Sequence, residues 1–389
     1  MPGFELVGQE ELESIQEIFA DGGILFRHGF DAMRNGRYRV IEFENAFAEY
    51  LGAKHALAVT SGTAALKVAL KALGVGPGDE VITQSFTFIA TAEAIADVGA
   101  KPVVVNIDDS LNMDAGELEG AINKRTKAIM PVHMLGVAAD MDAIGTIAKS
   151  YNLPVLEDNC ESLGAEWDGR KLGTGGTACA FSLDFGKVIT TGEGGMITTD
   201  DEEIYKLGKE YHDHGHESNP NLPRGRDTRR MFGFNFRMTE LQAAVGLAQV
   251  RKLDYIVESN RRNYARLSEG LSNIDGISFR TIPAKCKPLC DTFIFELPSA
   301  ELAQKFVQKM GEKGLGTKNV PDAIEWHFAG YWDHLFTHYG MTKEELWQSL
   351  LPSQQRLARC VSLPVMVKHT PEQIDTNIEK LRSIATELL

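Results

Sequence analysis

Lys187 stands in the stretch "FSLDFGKVITTGEGG", residues 181–195, among four glycines and with no acidic residue within two positions. A lysine there has two possible fates. It is a solvated charge on the wet side of a hairpin, or it is an amine desolvated enough to attack a carbonyl near neutral pH. The glycine-rich turn leaves room for a bound molecule beside it. Ser182, five residues earlier on the same hairpin-like segment, offers a hydroxyl to an anion in that space.

Three other segments could supply the rest of such a site. In "AVTSGTAALK" a strand ends at Thr60 and Ser61-Gly62-Thr63 opens a helix. Free N–H groups and the helix dipole at Gly62 and Thr63 favour an anion, although an ordinary Ser or Thr N-cap reads the same way. The segment lacks the P-loop lysine and the GxGxxG spacing, so neither a nucleoside triphosphate nor a dinucleotide is indicated. In "LPVLEDN" a buried-strand pattern ends in Glu157 and Asp158. A carboxylate there either caps a helix or pairs with a cation, since it is costly to bury alone. The protonated pyridine of pyridoxal phosphate (PLP) is such a cation, and the pairing keeps the ring an electron sink. In "SFTFIAT" Phe86 and Phe88 alternate, so one faces the strand end and is free to lie on a cofactor ring, although core packing is the commoner fate of either aromatic taken alone. Anion site, aromatic plate, strand-end acid and protected lysine make one coherent PLP site.

The elements needed to position these groups are visible around them. Apolar strand-like runs ("HALAVT", "DEVITQ", "KPVVVNID", "KAIMPVH", "LPVLEDN") alternate with helical patterns from about residue 40 to 160. That alternation implies βαβ units and a largely parallel sheet covered on both faces, with chemistry in the loops beyond the strand ends. "TELQAAVGLAQVRKLDYIVESNRRNYARLSEGL" reads as one long helix, after which the texture becomes mixed α+β. We therefore expect two domains, residues 1–250 and 251–389, with the first residues packing back on the C-terminal part. Of the 389 residues 43% are hydrophobic, enough for a sizeable core. The net charge of −14 disfavours nucleic acid or an anionic membrane as the main partner. The N-terminal residues lack a secretory pattern, and no run approaches the ~20 apolar residues of a membrane span. The five cysteines are odd in number and make no metal-binding set. A soluble, reduced, cytoplasmic protein without structural metal is expected. The three histidines of "YHDHGHESN" lack the accompanying ligands that a metal centre needs.

Together "SGTAAL", "FTFIATAEAI", "VHMLGVAADMDAI", "LEDNCESLGA", "FSLDFGKVITTGEGGMITTDD" and "FNFRMTELQAA" resemble the DegT/DnrJ/EryC1/StrS family of sugar aminotransferases. The resemblance runs from about Glu44 to Gln242 and is loose over the final hundred residues. It implies the type I aminotransferase fold: a large domain with a mixed, mostly parallel sheet and a smaller α+β C-terminal domain. It makes Lys187 the Schiff-base lysine and proton shuttle, Asp158 the partner of the pyridine nitrogen, and Phe88 the stacking aromatic. Gly62, Thr63 and Ser182 become phosphate contacts, and Asn235 reaches the phosphate of a neighbouring subunit in a homodimer. Glu161 stands near the cofactor hydroxyl where the family usually has Gln or His.

The implied reaction is transfer of nitrogen from glutamate to a keto sugar. "NCES" also resembles a branch that dehydrates keto-deoxy sugars, but that branch has His in place of the lysine. A PLP-binding regulator without turnover would not need the lysine–aspartate pair, and a desulfurase would want His where Gly186 stands. Two segments are rich in basic residues: Arg27, His28, Arg34, Arg37 and Arg39, then Arg224, Arg226, Arg229 and Arg230. Such residues either form surface ion pairs or present guanidinium forks to a carboxylate or phosphate. With "FR", "MRN" and "DHGH" they resemble the branch that makes 8-amino-3,8-dideoxy-manno-octulosonate. That resemblance implies an acidic 8-oxo octulosonate acceptor, in cell-surface polysaccharide or lipopolysaccharide synthesis, as against a nucleotide-linked 3-keto or 4-keto hexose. Arg27, His133, His216 and His327 are the candidate substrate contacts, with Arg27 assigned to the substrate carboxylate.

Overall fold

The computed structural model describes residues 2–389. Seven strands build the main sheet: β1 (His55–Val59), β2 (Glu80–Gln84), β3 (Lys101–Val105), β4 (Thr126–Ile129), β5 (Leu156–Asp158), β6 (Ala178–Ser182) and β7 (Gly195–Thr199). Their order is β3-β2-β4-β5-β6-β7-β1, with β4 joined to β5 through parallel pairing of Ile129 with Val155 and of Val132 with Asp158. Only β7 runs against its neighbours. Every residue of β2 is buried, and its adjacent residues Val81 and Ile82 enter different apolar clusters on opposite sides of the sheet. A strand covered on both faces is what continuous Val/Ile/Thr runs produce.

The crossover helices follow from composition and caps. Helix Gly62–Ala72 is rich in Ala and Leu, the strongest helix formers, and Ser61 caps it by accepting from the Ala64 N–H at 3.0 Å. Helix Met141–Ser150 is capped in the same way by Asp140. Because β5 and β6 are parallel neighbours, with Asp158 opposite Ala180, the acid and the start of the lysine hairpin emerge at one edge. The hairpin read from the sequence exists: β6 and β7 pair antiparallel, and Lys187 lies in the connection between them.

A second sheet, β8 (Ser278–Phe279), β9 (Thr292–Glu296) and β10 (Cys360–Pro364), is antiparallel. Phe293 and Phe295 pack there with Phe306, Leu381 and Ile384 of helices Ala300–Glu312 and Pro371–Leu388. Between these elements, Phe328, Trp332 and Leu346 pack on Phe86 and Ile89 beside β2, so the C-terminal half also covers one side of the strand ends.

Two expectations need correction. The long helical pattern is two helices, Glu240–Val250 and Leu253–Leu271. The break falls at Arg251–Lys252, where Lys252 Nζ reaches the Leu6 carbonyl at 2.7 Å and Glu11 at 2.6 Å. The first residues pack mainly on helix Glu240–Val250 rather than on the C-terminal part: Ser14 Oγ donates to the Ala244 carbonyl at 2.8 Å, and Gln249 Nε2 donates to Glu11 at 2.7 Å. Glu5 does reach the C-terminal region, accepting from the Val367 N–H at 2.9 Å.

Candidate active site

At the carboxyl ends of β5 and β6 lies a cavity of about 370 Å³. Gly62, Thr63, Phe88, Asp158, Glu161, Ser182, Lys187 and His327 all line it. Segments far apart in sequence meet there because parallel strands deliver their loops to one edge.

Each side chain is held by its own element. Asp158 is buried at the end of β5, where Oδ2 accepts from Thr91 Oγ1 at 2.8 Å and Oδ1 from the Cys160 N–H at 3.2 Å. Two donors on a buried acid offset the cost of keeping it charged. Phe86 is fully buried and Phe88 is 42% exposed, so the period-2 alternation sends one inward and one to the cavity. Phe88 lies 5.4 Å from the His327 ring and 6.4 Å from Trp326, centroid to centroid.

The start of helix Gly62–Ala72 is pressed against the end of β6. A Cβ on Gly62 would sit 2.7 Å from Ser182 Cβ, and one on Gly195 would collide with the Ser61 carbonyl. With Ser61 Oγ taking the Ala64 N–H, the Gly62 and Thr63 N–H groups, the Thr63 hydroxyl and the hydroxyl proton of Ser182 remain for a bound anion.

Lys187 Nζ donates to Glu161 Oε1 at 3.1 Å. Burial is the largest single effect on each group and disfavours both charges, but the opposite charges gathered around each group together outweigh it. The Glu161 carboxyl falls to about 2 under the charges of Lys187, His327 and Lys318, and the Lys187 amine rises above its ordinary value. Cys160, on the same turn, is pushed up by burial and by Asp158.

The residues present fit PLP. The glycine-packed helix start beside Ser182 is a cradle for its phosphate, the doubly hydrogen-bonded Asp158 suits a protonated ring nitrogen, and Lys187 is the amine facing both. Thr91, which orients Asp158, and Asn319, which lines the cavity from the C-terminal half, were not foreseen. The threonine, in the first turn of the helix after "SFTFI", is a weak local signal; the asparagine has none.

Other candidates lie elsewhere. Arg27 is not at the cavity: it is 6% exposed, with its guanidinium on Glu44 at 2.7 Å and on the Ala58 carbonyl at 3.3 Å. Its assignment to the substrate carboxylate is corrected accordingly. His133 is fully buried, bonding to Glu157 through Nε2 at 3.0 Å and accepting the Ala139 N–H through Nδ1 at 3.1 Å. It braces the strand ends and does not face a substrate. His216 is buried against Asp227 at 3.3 Å. Arg34, Arg37 and Arg39 form ion pairs with Glu240, Glu17, Asp21 and Glu42, which clamp the 21–44 segment. Asp213 gathers His28, Arg224 and Arg237. Arg226 and Arg229 are exposed, with no acidic partner among the described residues. Asn235 is exposed and outside this cavity, next to Phe234 and the 72%-exposed Phe232.

A family model described as the DegT/DnrJ/EryC1/StrS aminotransferase family matches residues 29–382. The chain is 46% identical over 228 residues to the GDP-perosamine synthase of Caulobacter vibrioides, a match spanning 58% of this chain and 60% of that protein. It is 39% identical over 281 residues to the spore coat polysaccharide biosynthesis protein SpsC of Bacillus subtilis, covering 70% of this chain and 69% of SpsC. The solved structure of 3-amino-5-hydroxybenzoic acid synthase matches with a TM-score of 0.85 at 29% identity, over 99% of this chain and 98% of that one.

Proposed function

The chain belongs to the DegT/DnrJ/EryC1/StrS aminotransferase family, and from that premise we propose that it moves an amino group from glutamate to a keto sugar. It is a PLP-dependent aminotransferase with the type I fold. One observation carries the assignment of roles: the Lys187 amine sits in the same cavity as the buried, hydrogen-bonded Asp158 and the Gly62 helix start.

When bound, PLP supplies an electron sink for the carbon that loses its proton. The chain does the rest. The first-turn N–H groups at Gly62 and Thr63, with Ser182, hold the phosphate. The Asp158 carboxylate keeps the ring nitrogen protonated, and Thr91 and the Cys160 N–H keep that carboxylate aimed. Phe88 would lie against the ring, and Val132 and Met134 give apolar walls that limit water. Lys187 Nζ takes the proton from the donor carbon and returns it on the other side of the transfer. Asn235 serves the phosphate of a second copy, so the working unit is a homodimer. Support for that reading comes from the exposed Phe26, Phe232 and Phe234, of which Phe26 is linked through Arg237 and Asp213 to the segment carrying Asn235.

For the acceptor we propose the acidic 8-oxo octulosonate. The cavity of one chain carries no arginine, and in this reading the exposed Arg226 and Arg229 on the arm leading to Asn235 would supply guanidinium forks to the carboxylate from a second copy. A second reading, a nucleotide-linked 3-keto or 4-keto hexose, is favoured by the identity to GDP-perosamine synthase. The test mixes the amine-loaded enzyme with each sugar and follows the visible absorbance of the cofactor. Recovery of the absorbance with the octulosonate alone supports the acidic acceptor, and recovery only with a nucleotide sugar refutes it while leaving the aminotransferase standing.

A further inference from the structure

The Lys187 amine has a partner that the transfer itself does not use. Glu161 and Lys187 meet at 3.1 Å with side chains 11% and 21% exposed. Glu161 lies on the turn after β5, and its second oxygen faces Asn319 Nδ2 at 3.5 Å. The charged and titratable groups facing the pair come from four segments. Asp158 and Cys160 share the turn of Glu161, and Asp184 shares the hairpin of Lys187. Lys318 approaches from the loop before Pro321, and His327 from the short helix Ile324–His327. Lys318 is already bound to Asp291 at 2.5 Å. Asp158 is bound to Thr91. Lys187 is therefore the cation that Glu161 holds by direct contact.

We propose that Glu161 is a positioning residue that sets the charge state of the Lys187 nitrogen and aims it into the cavity. The proposal rests on the reading of Lys187 given above. At hydrogen-bond distance and out of bulk water, a carboxylate favours whichever form of the neighbouring nitrogen is positive. A neutral side chain of the same shape lacks that effect.

Two consequences follow for the nitrogen. In the cofactor-free chain the amine is stored as an ammonium, which has no lone pair for attack on an aldehyde. Capture of the aldehyde forms a C=N bond at Nζ and expels the carbonyl oxygen as water. Two of the three ammonium protons leave with that water and one stays on nitrogen. The remaining proton is the one Glu161 stabilises, so the nitrogen stays protonated to higher pH after the cofactor is attached. Asn319 contacts the same carboxylate from the C-terminal half, which ties that loop to the charge on Lys187.

The experiment titrates the visible absorbance of the PLP-loaded protein with pH for the wild type, Glu161→Gln and Glu161→Asp. The Gln variant is expected to lower the midpoint by at least about one pH unit, a tenfold loss of proton affinity. The Asp variant keeps the charge but withdraws it by a methylene, and its midpoint should fall between the two. In a second readout, PLP is added to the cofactor-free proteins at pH 7 and the rise of the band is timed. Glu161→Gln should capture PLP several-fold faster, because more of its lysine is neutral. A Gln midpoint equal to or above that of the wild type, or slower capture, overturns the proposal. If Lys187→Ala gives the same titrating band as the wild type, the reading of Lys187 fails and takes this inference with it. If Lys187→Ala lacks the band and Glu161→Gln leaves the midpoint unmoved, only the role of Glu161 fails.

Discussion

Gly62→Ala tests whether close packing at the helix start makes the phosphate cradle. The added Cβ would lie 2.7 Å from Ser182 Cβ and 3.1 Å from Ser182 Oγ. Carbon atoms prefer roughly 3.5–4.0 Å, so the helix start or the end of β6 must withdraw by about 1 Å. Strain of this kind costs about 1–3 kcal/mol, while Ala in place of Gly returns up to about 1 kcal/mol in helix propensity. The cofactor-free protein should therefore lose between about 0 and 3 kcal/mol of stability. Cofactor affinity should suffer more, because every phosphate donor on the first turn moves with the backbone. A displacement of about 1 Å in a positioned group can cost up to about 100-fold, and we expect at least about a tenfold rise in the Kd for PLP, measured by absorbance titration after removal of the cofactor. The control is Ser182→Gly, which removes the obstructing atoms. In that background Gly62→Ala should have a much smaller effect, since the Cβ and Oγ it collides with are gone. A Kd within twofold of the wild type, or an equal loss in both backgrounds, refutes the packing argument.

Asn235→Ala should weaken PLP retention and make activity fall on dilution, as measured by gel filtration with activity at nanomolar protein; full activity of a monomer would contradict the shared site. His133→Ala should destabilise by about 2–3 kcal/mol through loss of a buried charge-assisted hydrogen bond, read by denaturant unfolding, without raising the KM for the sugar in the protein that remains folded. Glu161 has a folded-state value of about 2 against an ordinary 4.5. Its contribution to stability is thus present above about pH 4.5 and lost as the pH falls toward 2, so acid unfolding of the cofactor-free protein should lose part of its slope in that window in Glu161→Gln.

The site residues legible in the sequence are those whose signal is local. Lys187 among glycines, Asp158 ending an apolar run, Gly62 opening a helix and Phe88 alternating with Phe86 can each be read within a few positions, and the sheet brings them to one cavity. The assignment of Arg27 did not hold because the partners of such residues are remote. Arg27 meets Glu44, and Arg34 meets Glu240 some two hundred residues away; no local pattern distinguishes such a guanidinium from one kept free for a ligand. His133 failed for the same reason, since its partner Glu157 is reached only when two parallel strands lie side by side. The break at Lys252 carries no proline or glycine and is set by the N-terminal helix against which that lysine ties off.

The tight seam between Gly62, Ser182 and Gly195 also bears on how such a protein can diverge. A seam in which a single methyl group collides with backbone or a strand-end side chain leaves little room for substitution beside the nitrogen chemistry. Asn319, His327 and the arm carrying Arg226 and Arg229 lie on short helices and loops outside that seam. Variation there alters what enters the cavity without disturbing what happens inside it. New acceptors can thus be acquired by exchanging surface segments while the packing at the strand ends stays fixed.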